Sequence, residues 1–192
     1  MTTPRYAYRL GWRTLKSVVR RTDLSTADYK ALARDLGQAM VDHEITKRRR
    51  AIMFIAQVAH ESGGFRYREE IASGANYEGR HDLGNTQPGD GRRFKGRSYI
   101  QVTGRANYKA VGAALKVDFI THPAKLAEPK YAAAAAAWWW QTHGCNQLAD
   151  TGNFIAVTRR INGGTNGLPD RLLYLARATP GAQFLIPKRR KP

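Results

Sequence analysis

Between Tyr77 and Arg97 the helical periodicity that marks the rest of the chain vanishes. The stretch reads YEGRHDLGNTQPGDGRRFKGR, dense in Gly, Asn, Asp and Pro, the residue types that favour turns. A loop of that length inside a compact domain is either functional or disordered. Its aromatic and charged residues favour function. The expectation is therefore a mainly α fold with helices on both sides of one long loop and short strands at most.

The flanking segments supply those helices. In LSTADYKALARDLGQAM, Ser25 is placed as an N-cap with Asp28 three positions on, and Leu24 and Tyr29 sit where a hydrophobic staple would. Leu32, Leu36 and Met40 then recur at helical spacing. KRRRAIMFIAQVAHE predicts a second helix, with Ala51, Ile55, Val58 and Ala59 on its buried side and Gly63-Gly64 as its stop. Beyond the loop, Pro129 opens PKYAAAAAAWWWQTH and Gly144 follows as its C′ residue. NFIAVTRRI carries Phe154, Val157 and Ile161 on one face, and PDRLLYLARA closes the set. Three consecutive residues on a helix point in three directions, so most of Trp138, Trp139 and Trp140 are expected in the core, and all three are left out of the site. The expected organisation is one domain over residues 1–186 and a basic, disordered tail over 187–192.

Lys and Arg total 32 against 15 Asp and Glu, a net charge of +17. That imbalance points to a polyanionic partner: nucleic acid, an anionic membrane or an acidic cell-wall polymer. Cys145 is the only cysteine, which excludes an internal disulfide. The first residues lack the apolar core of a signal peptide, and the longest apolar run, YAAAAAAWWW, falls well short of the ~20 residues of a membrane helix. The expectation is a protein made in the cytoplasm without membrane insertion. His60-Glu61 lacks the second His of H-E-x-x-H, and five scattered histidines form no ligand cluster, so neither metal nor cofactor is expected.

The chemistry concentrates in AHESGGFRYREE, Ala59 to Glu70. In an unbroken helix the nine residues from Glu61 to Glu70, at ~100° each, would put the two carboxyls on opposite faces. A turn at Gly63-Gly64 can bring both to one cleft. Glycoside hydrolysis needs such a pair: one protonated acid for the leaving oxygen, one carboxylate for water or attack. On these residues alone, a solvated helix end at His60-Glu61 and surface charge at Glu69-Glu70 remain the alternative.

AHESGGF, GRSYIQVTGRANY and RRINGG, in that order, resemble glycoside hydrolase family 19, the chitinase family whose phage and bacterial branch degrades peptidoglycan. The loop sequence is similar to the phage endolysin branch. The similarity covers about Lys47 to Ala178, leaving residues 1–46 as an N-terminal helical part. It implies a lysozyme-like fold of two lobes around a cleft. Glu61 becomes the general acid and Glu70 the general base, with neighbouring Glu69 and the more distant Glu78 as other candidates. The hydroxyl of Thr103 would help hold the attacking water. Sugar contacts are implied at His60, Gln101, Asn107 and Asn162, and Arg171 would line the site or brace Glu61. Tyr99 and Tyr108 offer faces for sugar stacking, with core packing as the alternative. Ser98 stands where the family commonly carries glycine; a positive φ there would strain it mildly.

The implied function is an endolysin that cuts the β-1,4 bond between N-acetylmuramic acid and N-acetylglucosamine with inversion. It would act as a monomer on peptidoglycan glycan strands in an anionic wall, need no nucleic acid, and reach the wall through a phage-encoded pore. The rivals are a chitinase and a non-catalytic wall- or nucleic-acid-binding module.

Overall fold

The computed structural model describes residues 8–189. Helices α1 (Trp12–Val19), α2 (Thr26–Asp42) and α3 (Arg48–Glu61) come first. Ser25 caps α2 as its sequence predicts. Its Oγ accepts from the Asp28 N–H at 3.2 Å, and the Asp28 carboxylate accepts from the Ser25 N–H at 2.8 Å. Leu32, Leu36 and Met40 are buried. Helix α3 goes further than one buried side: every residue from Ala51 to Ala59 is buried, because the helix runs through the larger core.

After the long loop come α5 (Arg105–Leu115), α6 (Pro129–Thr142), α7 (Cys145–Asp150), α8 (Phe154–Asn162), α9 (Leu168–Ala178) and α10 (Ala182–Leu185). Pro129 occupies the first turn of α6, and Gly144 follows its end at φ 71°, a left-handed conformation that suits glycine. Helix α3 packs against α9, and α2 against α6.

Two hydrophobic clusters give the fold its two lobes. The larger joins α1, α2, α3 and α6. The smaller gathers Phe94, Val102, Tyr108, Val111, Phe119 and Leu126. Helix α6 serves both: Ala132, Ala133, Ala136, Ala137 and Trp140 belong to the larger cluster and Ala135 to the smaller, while Ile100 packs against both.

The loop is held by buried polar groups. It forms short 3₁₀ turns at Ala75–Tyr77 and His81–Leu83 and the brief helix α4 (Asp90–Arg93). Asn85, fully buried, donates to the Tyr77 carbonyl at 2.9 Å and accepts from the Arg105 N–H at 2.8 Å. Asp90, also buried, takes two charge-assisted bonds from Arg105 at 2.5 and 2.8 Å. Such bonds leave no hydrophobic periodicity in the sequence, which explains the irregular reading.

Tyr8–Arg9 (β1) and Lys188–Arg189 (β2) pair antiparallel, Tyr8 opposite Arg189 and Arg9 opposite Lys188. The disorder expected over 187–192 thus does not hold at Lys188 and Arg189; residues 190–192 lie outside the described residues.

Candidate active site

Glu61 is the last residue of α3, and the chain turns sharply after it. Gly63, Gly64 and Phe65 follow at φ 58°, 72° and 63°, three consecutive left-handed residues. Phe65 tolerates this because its ring is buried, edge-on to Tyr99 at 5.3 Å. The buried Ser62 hydroxyl donates to the Val58 carbonyl (2.6 Å) and accepts from the Phe65 N–H (2.9 Å), sealing the helix end.

Behind Glu61 stands Arg171 of α9, only 2% exposed. Its guanidinium donates to Glu61 Oε1 at 2.5 Å, Gln57 Oε1 at 2.5 Å and the Asn166 carbonyl at 3.1 Å. Buried Gln57 in turn donates to Thr158 Oγ1 at 2.7 Å, and Thr158 to the Phe154 carbonyl at 3.0 Å. The chain of bonds satisfies each buried group and fixes the Glu61 side chain, itself 22% exposed. Arg171 thus takes the bracing role rather than lining the site. His60, expected as a sugar contact, is turned the other way: its Nδ1 meets Asp170 Oδ2 at 2.6 Å, and its ring fills the space beside Gly167. Adjacent residues of α3 therefore cross-link to adjacent residues of α9.

The three other candidate carboxylates separate by their partners. Glu69 lies 2.8 Å from Lys95 and 3.3 Å from Arg97. Partial burial alone would raise its carboxyl, but the two cations outweigh it and hold it below the ordinary range. Glu78 accepts from the N–H groups of Gly89 (2.7 Å) and Gly91 (2.8 Å), a clasp that closes the long loop. Glu70 has no ion pair among the described residues. Its Oε1 accepts from the Gly96 N–H and its Oε2 from the Tyr77 hydroxyl, each at 2.9 Å, and its own N–H donates to the Gly96 carbonyl at 2.9 Å.

Gly96 joins Glu70 to the rest of the site. A Cβ there would lie 3.3 Å from Thr103 Oγ1 and 3.4 Å from Glu70 Cδ, and would overlap Gln101 Oε1. Glu70, Thr103 and Gln101 therefore converge on one crowded point beside Gly96. The Thr103 hydroxyl donates to the Gln101 carbonyl at 3.0 Å, and Asn107 Nδ2 donates to the Thr103 carbonyl at 2.7 Å. Gln101 Oε1 is buried without a partner, and Gln101 and Ser98 both sit at positive φ, 57° and 75°. An unpaired acceptor and strained backbone in one place are the marks of a site built to meet something. The strain expected at Ser98 is present.

Beside this point lies a cavity of about 250 Å³, lined by Gln101, Thr103 and Asn107 on one side and Trp138, Trp139 and His143 on the other. The Trp139 and His143 rings stack at 3.9 Å, 13° apart. Of the three tryptophans, Trp140 is buried against Phe54, whereas Trp138 and Trp139, each packed against one of the two cores, also reach the cavity, so leaving all three out of the site is corrected. Two expected sugar platforms are also corrected. Tyr99 (1% exposed) and Tyr108 (fully buried) are core residues, and the Tyr108 hydroxyl donates to the Lys95 carbonyl at 2.6 Å. Asn162, expected on the sugar, engages both ends of its amide in its own turn, donating to the Asn166 carbonyl and accepting from the Gly164 N–H at 2.9 Å each. Tyr77, Gly96 and Gln57 were not singled out by sequence. Gln57 lies one helical turn before Glu61, which is the one signal that could have found it. Among the described residues, no three His, Cys, Asp or Glu side chains gather as metal ligands would.

A family model described as chitinase class I, glycoside hydrolase family 19, matches residues 22–155. The match begins inside the segment read from sequence as preceding the family-like core. A glycosyl hydrolase family 19 domain-containing protein of Haemophilus influenzae is 32% identical over 160 residues, 65% of this chain and 76% of that protein. An endochitinase of Arabidopsis thaliana is 40% identical over 120 residues, 62% of this chain, but the match spans only 41% of the plant protein. Two solved structures share the fold. Chitinase C from Streptomyces griseus superposes with a TM-score of 0.69 at 22% identity, covering 92% of each chain. A class IV chitinase from Zea mays does so with a TM-score of 0.66 at 20% identity, again covering 92% of each.

Proposed function

From the premise that this chain belongs to glycoside hydrolase family 19 and is a glycoside hydrolase, we propose that it cleaves the β-1,4 bond between N-acetylmuramic acid and N-acetylglucosamine in peptidoglycan, as a phage endolysin. The observation that carries the chemistry is the convergence of the Glu70 and Thr103 side chains beside Gly96. The Thr103 hydroxyl gives its proton to the Gln101 carbonyl, so its oxygen is left with lone pairs to accept from a water. A water between these two side chains donates one hydrogen to Thr103 and the other to Glu70, which leaves its own lone pair directed at the sugar. Glu70 removes the proton as the water attacks, Glu61 protonates the departing oxygen, and the product is inverted. Gln101 and Asn107 line the adjacent cavity, and their amides suit sugar hydroxyl or N-acetyl groups.

The net charge of +17 favours peptidoglycan over chitin. Chitin is a neutral polymer, whereas muramic acid, its peptides and the wall polymers around them carry carboxylates and phosphates. The enzyme then works on the bacterial wall as a monomer and needs no nucleic acid. Chitin hydrolysis is the second reading, favoured by the endochitinase relatives. Mass spectrometry of muropeptides after digestion tests the proposal. New reducing ends on N-acetylmuramic acid support it, and release from chitin with intact peptidoglycan selects the second reading. NMR of the first-formed anomer tests inversion; a retained product rejects the water mechanism.

A further inference from the structure

Resting on the reading of Glu70 as the base, we propose that Tyr77 is a positioning residue: its hydroxyl stops the Glu70 carboxylate from rotating and keeps one lone pair aimed at the water. A carboxylate turns easily about its last bond, and a single donor fixes only one oxygen. Here each oxygen has its own. Gly96 N–H holds Oε1 and Tyr77 O–H holds Oε2, each at 2.9 Å. Both donors are neutral, so the carboxylate is oriented without an ion pair. That distinguishes it from Glu69, which two cations hold, and from Glu78, which two backbone N–H groups hold.

The tyrosine is itself fixed from behind. Its N–H donates to the Gly74 carbonyl at 3.0 Å, and its carbonyl accepts from the buried Asn85 at 2.9 Å. Asn85 is tied in turn to the first turn of α5. The residue after Tyr77 is Glu78, whose clasp on Gly89 and Gly91 closes the loop around this anchor. The 3₁₀ turn at Ala75–Tyr77 thus works as a post whose tip is a hydroxyl. Burial and the neighbouring Glu70 raise the phenol above its ordinary range, so it remains a donor throughout the neutral region.

The test compares Tyr77→Phe with wild type and Glu70→Gln, all in the full chain, on purified peptidoglycan and soluble oligosaccharides. Phenylalanine keeps the ring and removes the donor. The expected result is a kcat lower by about 10–100-fold, with KM within about twofold. The acid limb of the kcat/KM profile should move to higher pH, because the carboxylate has lost a hydrogen bond. A purely structural tyrosine would leave that limb in place. Ultraviolet titration gives a second readout that does not need the Phe variant: one tyrosine of the Glu70→Gln protein should ionise at lower pH than in wild type. Wild-type kcat in Tyr77→Phe, or an unchanged titration, overturns the proposal. If Glu70→Gln itself stays active, the assignment of the base fails instead. An inactive Glu70→Gln beside a fully active Tyr77→Phe sinks the positioning role alone.

Discussion

Gly96→Ala adds one methyl group at the most crowded point of the site. The backbone there is not in the left-handed region, so glycine is required for room and not for conformation. The added Cβ overlaps Gln101 Oε1 and stands 3.3 Å from Thr103 Oγ1 and 3.4 Å from Glu70 Cδ. The Gly96 backbone cannot retreat freely, because its N–H and carbonyl both bond Glu70. Gln101 must therefore yield by roughly 1 Å to regain ordinary contact, on a backbone already at φ 57°. Overpacking of this kind costs about 1–3 kcal/mol, of which the lost freedom of the unfolded chain offsets about 0.4–1 kcal/mol. A net cost of about 1–2 kcal/mol lowers Tm by about 2–8 °C. The effect on rate is larger, since the methyl group pushes on Gln101, Thr103 and Glu70 together, and a 1 Å misplacement of the groups that would hold the water costs about 10²-fold. Turbidity loss of purified peptidoglycan, reducing-end release and thermal melting measure both effects. Gly164→Ala is the control: its Cβ would meet only Asn162 Oδ1, at 3.9 Å, and both rate and Tm should stay near wild type. A Gly96→Ala enzyme of wild-type rate would refute the placement of the water.

Glu61→Gln should remain folded and lose about 10²–10⁴-fold in rate, since it cannot protonate the leaving oxygen; activity within a few-fold of wild type would remove it from the mechanism. Glu78→Gln should differ from Glu70→Gln in stability. The amide cannot accept from both Gly89 and Gly91, so Tm falls along with activity, whereas Glu70→Gln loses activity at nearly constant Tm. Ser98→Gly relieves a left-handed serine whose hydroxyl makes only a 3.3 Å bond to the Ile100 N–H, and calorimetry should show a Tm higher by about 2–4 °C, activity being kept. Arg105 holds the Asp90 carboxyl below its ordinary range. Its contribution is therefore fully present above about pH 4 and is lost as pH falls through the lowered value. In a series of melts, Asp90→Asn should flatten the fall in Tm on the acid side.

The helices were legible because each leaves a local signature. Ser25 with Asp28, Pro129 in its first turn and the apolar spacing of α2 needed no distant partner to be read. Glu61 drew notice for a similar reason, standing where an apolar helix meets two glycines, but its proposed role as acid rests on the family resemblance. The resemblance favoured Glu70 as base over Glu69 and Glu78, but no local signal distinguished the three, because what sets them apart is distant: Lys95 and Arg97 for Glu69, Gly96 and Tyr77 for Glu70, Gly89 and Gly91 for Glu78. Tyr99 and Tyr108 were misread because burial depends on neighbours such as Phe65 and Phe94 that no spacing reveals. The tryptophans show the limit from the other side. Trp139 reaches a cavity only because α6 lies along the seam between two cores.

The cross-links between α3 and α9 bear on how short this enzyme can be made. Residues 22–155 carry every carboxylate and the hydroxyl assigned to the reaction, so a fragment cut to the matched segment would look complete by inventory. It would nevertheless lack Arg171, Asp170 and Thr158. Glu61 would lose its brace, His60 its anchor, and Gln57 both partners of its buried amide. The smallest working unit is thus fixed by the support of the acid and extends through α9, and protein engineers shortening or grafting this domain should place the downstream junction beyond Ala178.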